Sequence, residues 1–134
     1  MLPACGRDQP TSLTVSEISA YAPLPDQPSG VAYFSLENTA SDAVTLQLIT
    51  SPQFTTVEMH TTLLDGGMSR MMALDSLTIA GGSMIEFAPG GNHLMLMGAH
   101  DGLSAGDNVT LEFHYRYDGQ DERLLAVRAL LQSR

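Results

Sequence analysis

The sequence predicts an all-β protein, an antiparallel Greek-key β-sandwich or barrel. Short runs rich in Val, Ile, Thr, Tyr, Phe and Leu recur along the chain. Clusters of Gly, Pro, Asn and Asp, such as "PLPDQPSG", "LDGG", "APGGN" and "YDGQ", separate these runs and are typical turn signals. Many short strands at this spacing are characteristic of sandwiches and barrels with Greek-key connections.

Each candidate strand is an apolar or alternating run that a turn signal ends. The last run, "DERLLAVRALL", is also compatible with a helix, but its position after "YDGQ" favours a closing hairpin. The predicted strands, in chain order, are residues 12–20, 30–37, 43–50, 54–63, 68–74, 76–79, 83–88, 93–97, 108–117 and 121–131.

Length and composition predict one globular domain. The chain has 134 residues, of which 43% are hydrophobic and 16% charged, and no apolar run approaches the length of a membrane helix. We expect a flexible N-terminal arm over residues 1–11 and one β-sandwich domain over 12–134. The net charge is −9 and every basic residue is arginine, which argues against nucleic acid and suits a cationic ligand or partner.

The chain has a single cysteine, Cys5, so it forms no internal disulfide, cysteine-rich zinc site or iron–sulfur cluster. The "LPAC" that ends at Cys5 is similar to the end of a bacterial lipoprotein signal, although proline is atypical there and no apolar segment precedes it. Two interpretations stay open. Cys5 is the lipidation site of a trimmed lipoprotein, or it is an ordinary residue in a loose terminal arm.

The stretch "GGNHLMLMGAH" places His93, Met95 and Met97 at alternate positions, so a β-strand would present all three on one face. With eight methionines in the chain, two interpretations are open. These methionines fill gaps in a core strand, or imidazole and thioether together form a site for a soft metal ion.

A second pair of candidate ligands lies further upstream. If Asp65-Gly66 are the central residues of a tight hairpin, Met71 lies directly across from His60, whereas a longer loop would shift this register. Together, the pairs His60/Met71 and His93/Met95 would form a His₂Met₂ site. Neutral, thioether-rich ligation selects Cu(I) over harder ions. The alternative is core methionines with two surface histidines.

The order of these residues resembles a known family. His60, ten residues, Met71, twenty-one residues, His93, one residue and Met95 match the H-x10-M-x21-H-x-M signature of periplasmic copper chaperones of the PCuAC type. The resemblance covers roughly residues 13 to 131, and the blocks "VEMHTTLLDGGMSRMMAL" and "FAPGGNHLMLMG" also look like the family. This sequence lacks the His/Met-rich C-terminal tail of some members, so we expect no second copper site there.

The resemblance implies a cupredoxin-like fold that binds Cu(I) near its surface and delivers it to the binuclear copper site of cytochrome c oxidase or to another copper chaperone. It implies the ligands His60, Met71, His93 and Met95. It also implies a periplasmic location, with membrane contact only through a lipid anchor, and we expect a monomer. The remaining methionines are expected to pack in the core or at the rim, with Met97 and Met59 as candidate secondary ligands and Met68 and Met72 as packing residues.

Other functions fit the sequence less well. A blue-copper carrier needs a cysteine thiolate between its histidines, and Cys5 lies far upstream. The chain has no G-x-S-x-G or H-E-x-x-H motif, so we expect no enzymatic activity. His100 and His114 fall outside the signature. The alternatives to a chaperone are a copper-storage or copper-sensing protein, or a β-sandwich interaction module without metal.

Overall fold

The computed structural model describes residues 13–24 and 27–133, and within these ranges all regular structure is β-strand. The final run is a strand, which confirms the hairpin interpretation over the helical one. The strands are β1 Leu13–Tyr21, β2 Ser29–Asn38, β3 Val44–Thr50, β4 Phe54–Asp65, β5 Met68–Leu74, β6 Leu77–Ile79, β7 Met84–Phe87, β8 His93–Ala99, β9 Asn108–Tyr117 and β10 Arg123–Gln132.

The strands form two layers of a cupredoxin-like sandwich, which confirms the predicted fold class. Sheet A has the order β5-β4-β8-β2-β1, with β7 also paired to β2, and sheet B has the order β10-β9-β3-β6. Strand pairs are antiparallel except at the junction of the layers. There the end of β1 runs parallel to the end of β10, with Ala20 opposite Leu131 and Tyr21 opposite Gln132.

The core lies between the inner faces of the two sheets, because apolar residues alternate with polar ones along most strands. Three phenylalanines link the layers at its centre. The Phe34 ring stacks on Phe87 of the same sheet at a centroid distance of 4.5 Å and meets the edge of Phe113 of sheet B at 5.2 Å. All three side chains are almost fully buried, so they contribute strongly to the apolar area that stabilises the fold.

A buried asparagine, Asn38 at the end of β2, also links the layers. Its Nδ2 donates to the carbonyls of Asp42 and Ile79 at 2.8 and 3.0 Å. Its Oδ1 accepts hydrogen bonds from the Ala40 amide and the Tyr117 hydroxyl, each at 3.1 Å. Because this polar side chain is bonded at both ends, its burial carries no unsatisfied group.

The hairpin between β4 and β5 differs from the predicted register. Asp65 pairs with Met68, so Gly66 and Gly67 are the two central residues of the turn, with φ of 62° and 86°. A primed two-residue turn needs φ > 0 at both positions, which two glycines adopt without the steric cost that Asp65 would bear. Met71 therefore lies across from Thr62, and the prediction that it lies directly opposite His60 is wrong.

Strands β7 and β8 run along the same edge of β2, one after the other. Residues 84–87 pair with 34–37, and 94–97 pair with 29–32. The chain leaves this line over residues 88–92 in a tight loop, which Gly91 N to Ala88 O and Ala88 N to Asn92 O hydrogen bonds of 3.0 and 2.9 Å close. The predicted "APGGN" turn is thus a loop that connects β7 to β8 along the same edge of β2, and His93 follows it directly.

The predicted arm over residues 1–11, and with it Cys5, lies outside the described residues. Within residues 13–24 and 27–133, no helix is long and apolar enough to cross a membrane.

Candidate metal centre

The two histidines of the signature meet on the outer face of sheet A, the face that points away from sheet B. His60 on β4 pairs directly with His93 on the neighbouring strand β8. Their rings lie 5.6 Å apart between centroids, with an angle of 60° between the ring planes. Because side chains alternate along a strand, Met95 lies on the same face, two residues beyond His93 and opposite Glu58.

The His60 ring has one partnered and one unpartnered nitrogen. Its Nε2 lies 2.9 Å from Glu58 Oε1. A carboxylate only accepts hydrogen bonds, so Nε2 carries the proton and Nδ1 of the neutral ring holds a lone pair. That Nδ1 is buried and has no hydrogen-bond partner among the described residues. An orphaned buried nitrogen of this kind is rare, and a metal ion would satisfy it.

The His93 ring is oriented by the backbone of the preceding loop. Its Nδ1 donates a hydrogen bond to the Gly91 carbonyl at 3.2 Å. The proton is therefore on Nδ1, and Nε2 holds the lone pair that can bind a metal. Both histidines thus follow the pattern of metal-binding imidazoles, in which the second ring nitrogen donates to an oxygen that fixes the ring.

Met71 reaches this face from the edge strand β5. It pairs with Thr62, and His60 pairs with Ala73, so Met71 is a diagonal neighbour of His60 at about 7–8 Å between Cα atoms. The register differs by two residues from the predicted one, and a shift of two keeps a side chain on its face. Met71 is 62% exposed, whereas Met95 is half-buried. A flexible thioether side chain can span the diagonal distance.

The other methionines lie elsewhere. Met59, a candidate secondary ligand, points into the core and is 4% exposed, because it follows Glu58 onto the inner face. Met68 and Met72 share that orientation at the exposed hairpin end. Met97 lies on the outer face opposite Thr56, about 13 Å along the strand from His93. Of the candidate secondary ligands, the structure leaves only Met97 on the face of the two histidines.

The two remaining histidines lie away from this face. His114 is on β9 of sheet B, where its ring bonds Thr50 Oγ1 at 2.8 Å and Glu122 Oε2 at 3.1 Å. His100 follows the end of β8 and is exposed.

The donor set of this face is chemically selective. Among the described residues, no group of three or more His, Cys, Asp and Glu side chains could hold a metal ion. The side chains on this face that could hold an ion include the two imidazoles and the neighbouring thioethers of Met71 and Met95. This set suits a soft monovalent ion and does not suit Zn²⁺, Ca²⁺ or Mg²⁺.

Two supporting groups were not identified as such from the sequence. Glu58 lies two residues before His60, and alternation places both on the more polar face of the strand, but the sequence does not show that the carboxylate contacts the ring. Gly91 contributes only a backbone carbonyl, for which the sequence gives no signal. Both act on the imidazoles and neither belongs to the predicted ligand set.

The chain is similar to known proteins over most of its length. The profile of a family described as "Putative lipoprotein LpqE-like" matches residues 13–124. The chain is 31% identical over 97 residues to an uncharacterized protein of Rickettsia prowazekii, and over 85 residues to a "Putative lipoprotein" of Leifsonia xyli. These alignments cover 72% and 63% of this chain and 52% and 51% of the relatives, so the chain spans about half the length of the curated relatives it matches.

Solved structures share the fold. The copper-bound PCuAC domain from PmoF2 superposes with a TM-score of 0.70 at 18% identity, and covers 92% of this chain and 94% of that domain. The solution structure of Cu(I)-DR1885 from Deinococcus radiodurans gives a TM-score of 0.67 at 28% identity, and covers 91% and 80% of the two chains. The first likeness concerns the fold alone.

Proposed function

Because the chain belongs to the LpqE-like lipoprotein family and has the fold of PCuAC domains, we propose that it is an extracytoplasmic copper chaperone. It binds one Cu(I) ion on the outer face of sheet A. The proposed ligands are His60, Met71, His93 and Met95.

The pair of imidazoles carries this proposal. His60 Nδ1 and His93 Nε2 are the ring nitrogens left with lone pairs, and the ring centroids lie 5.6 Å apart. The opposite nitrogen of each ring is held by an oxygen, so the ligands need little reorganisation when the ion binds. Such pre-organisation raises affinity because less ordering occurs on binding.

The thioethers explain the choice of ion. Met95 lies beside His93 and Met71 lies diagonally from His60, so both can reach an ion held between the rings. Thioether sulfur favours Cu(I) over hard ions. Four neutral ligands leave the charge of the ion uncompensated, and the Glu58 carboxylate on the same face offsets it.

The relatives support copper as the cargo. The Deinococcus radiodurans domain, at 28% identity, was solved as its Cu(I) form, and the PmoF2 domain with copper bound. The partner and the cellular role are proposed on the family signature. The recipient is the binuclear copper site of cytochrome c oxidase or another copper chaperone.

Handover proceeds by ligand exchange. Met71 is 62% exposed on an edge strand, so an incoming ligand of the recipient can approach the ion from this side. Replacement of one thioether at a time keeps the ion coordinated throughout. Exchange of the thioethers leaves copper as Cu(I) throughout.

A lipid anchor fits the same role. The family is described as lipoprotein-like, and "LPAC" resembles the residues around a lipidated cysteine. Lipidation of Cys5 would hold the domain at the outer surface of a membrane, where an oxidase copper domain is exposed.

Anaerobic titration with Cu(I) against a colorimetric chelator tests the binding site. We expect one colourless Cu(I) per chain, with the stoichiometry lost in His93→Ala and kept in His114→Ala, a matched change on sheet B. Equal Cu(I) affinity in the parent and in both variants would refute the ligand set.

A transfer experiment separates delivery from storage or sensing. The Cu(I)-loaded protein is mixed with a copper-free oxidase copper domain, and metal is quantified on each after separation. Movement of copper to the recipient faster than release to buffer supports the chaperone. Copper that stays bound while the recipient remains empty supports storage.

A further inference from the structure

The outer face of sheet A holds a cavity beside the candidate metal centre. Its volume is about 570 Å³, within the usual range of about 300–1,000 Å³ for small-molecule sites. Strands β1 and β2, the end of β7 and the loop after it form its walls. The lining residues that matter here are Glu17, Tyr21, Tyr33, Ser35, Glu86 and Pro89.

Two tyrosine rings form one wall. Tyr21 and Tyr33 lie 6.3 Å apart between ring centroids, with an angle of 60° between their planes. Two tilted rings make an aromatic corner, and the negative face of an aromatic ring attracts a cation within about 6 Å of its centroid.

Two carboxylates flank the floor. Ser35 is 4% exposed and donates a hydrogen bond from Oγ to Glu17 Oε1 at 3.5 Å. Glu86 lies directly across from Ser35 on β7. Among the described residues that line the cavity, none is basic, so these two carboxylates have no cationic partner there.

A bulge in β1 places Glu17 in this cavity. Ser16 pairs with Ser35 and Ser19 with Tyr33, so three steps of β1 oppose two steps of β2. Ser16 lies on the outer face opposite Ser35, so in a regular strand the next residue, Glu17, would point to the core face. Glu17 instead adopts φ +52° and Ile18 packs against the core. Within the described ranges, it is the only residue other than glycine with positive φ, and such strain is concentrated at functional positions.

We propose that this cavity binds a guanidinium or alkylammonium group, held between the tyrosine rings and the carboxylates of Glu17 and Glu86. The group belongs to a free amine or to a basic side chain of a docked protein. The net charge of −9 attracts either one.

The location suits a docked protein. Tyr21, Val31 and Met95 lie in one cross-strand row of the outer face, so the cavity begins about 10 Å from the candidate metal centre. A protein that covers the metal ligands could insert a basic side chain there. Cation binding itself requires no copper, and a test on copper-free protein therefore fails or succeeds independently of the proposed copper function.

The test is a titration of the ¹⁵N-labelled, copper-free full chain, followed by NMR. The probes are agmatine, the peptide acetyl-Gly-Arg-Gly-amide and the same peptide with citrulline, an uncharged isostere, in place of arginine. We expect saturable shifts at the amides of Ser19, Tyr33 and Ser35 with both cations and none with the citrulline peptide. Tighter binding of the arginine peptide identifies a protein side chain as the source, and tighter binding of agmatine identifies a free amine.

Matched variants localise the cation. Glu17→Asn removes the carboxylate while asparagine tolerates positive φ, and Glu86→Gln removes the second charge. We expect each to weaken binding by about twofold to fivefold, as for an exposed ion pair. Glu37→Gln, an equal charge change on β2 outside the cavity, should have no effect. Equal binding of the citrulline peptide, or unchanged affinity in both Glu17→Asn and Glu86→Gln, overturns the proposal.

Discussion

The two strands that carry the proposed thioether ligands differ in how firmly sheet A holds them. Strand β8 lies between β4 and β2, and Leu94 and Leu96 on its inner face are fully buried. Strand β5 is the edge of the sheet, pairs with β4 alone and is exposed over residues 68–73. The proposed ligands on β8 therefore have fixed positions, whereas Met71 has freedom to move.

This difference assigns separate roles to the two strands. A ligand that is buried on one side and fixed by its neighbours contributes mainly to affinity, because little entropy is lost when the ion binds. An exposed side chain on an edge strand dissociates from the ion at lower cost. We expect β8 to retain copper and β5 to release it first. The variants below test this expectation.

The largest effect is expected from His93→Ala. It removes a proposed ligand on β8 together with the hydrogen bond of its ring to the Gly91 carbonyl. We expect Cu(I) affinity to fall by more than about 100-fold, beyond the upper end for groups that only support a ligand. Competition with a Cu(I) chelator measures the loss. His100→Ala, just beyond the same strand, is the control, and a loss of similar size there would contradict a specific role of His93.

How well this site can be predicted from the sequence depends on how far apart along the chain the neighbouring residues lie. Alternation places His93 and Met95 on one face, and the same rule holds for His60 and Glu58. The turn was predicted at Asp65-Gly66, but the central residues are Gly66 and Gly67, because glycine adopts positive φ at both positions without steric cost. Because the predicted register was wrong by two residues, Met71 still lies on the face that carries His60.

Contacts between segments that are distant along the chain could not be predicted from the sequence. The pairing of His60 with His93 joins β4 and β8, which three other strands separate along the chain, and no local pattern specifies such a pair. The bulge at Glu17 has no glycine to indicate it. The existence and approximate bounds of the strands were predictable because alternation and turn residues act locally, while the partners of each strand depend on the whole core.

A smaller effect is expected from Glu58→Gln. The change keeps a hydrogen-bond acceptor near His60 but removes the negative charge 2.9 Å from its Nε2. Mutation of a partner that orients a metal-binding histidine costs about 10- to 100-fold in affinity, and because the acceptor is kept we expect a loss at the lower end of this range. Cu(I) competition measures it, with Glu37→Gln as the control for net charge. An unchanged affinity would contradict a role of the Glu58 carboxylate in copper binding.

Replacement of each thioether by leucine compares the two strands directly. Leucine has nearly the volume of methionine, so packing is conserved. We expect Met95→Leu to reduce Cu(I) affinity about tenfold, a loss of about 1.4 kcal/mol, and Met71→Leu to reduce it less. In transfer experiments Met71→Leu should change the rate of handover more than Met95→Leu does. Met84→Leu, also exposed, is the control. The reverse order of affinities would contradict the assignment of retention to β8.

The stability of the copper-free fold depends on the turns that precede Met71 and His93. Gly67→Ala places a side chain at φ 86° with no atom within 4 Å, so only backbone strain opposes it. We expect the free energy of unfolding to fall by about 1–2 kcal/mol.

Gly91→Ala is the matched control, because the backbone of Gly91 is outside the left-handed region. The new Cβ would meet the Ala88 carbonyl oxygen at an ordinary contact distance of 3.7 Å. It should leave stability unchanged or raise it slightly, because alanine reduces the entropy of the unfolded chain. Chemical denaturation of the copper-free proteins measures both. Equal stability of Gly67→Ala and the parent would mean that the β4–β5 hairpin does not depend on the Gly66-Gly67 turn, and the diagonal placement of Met71 would then lose its structural basis.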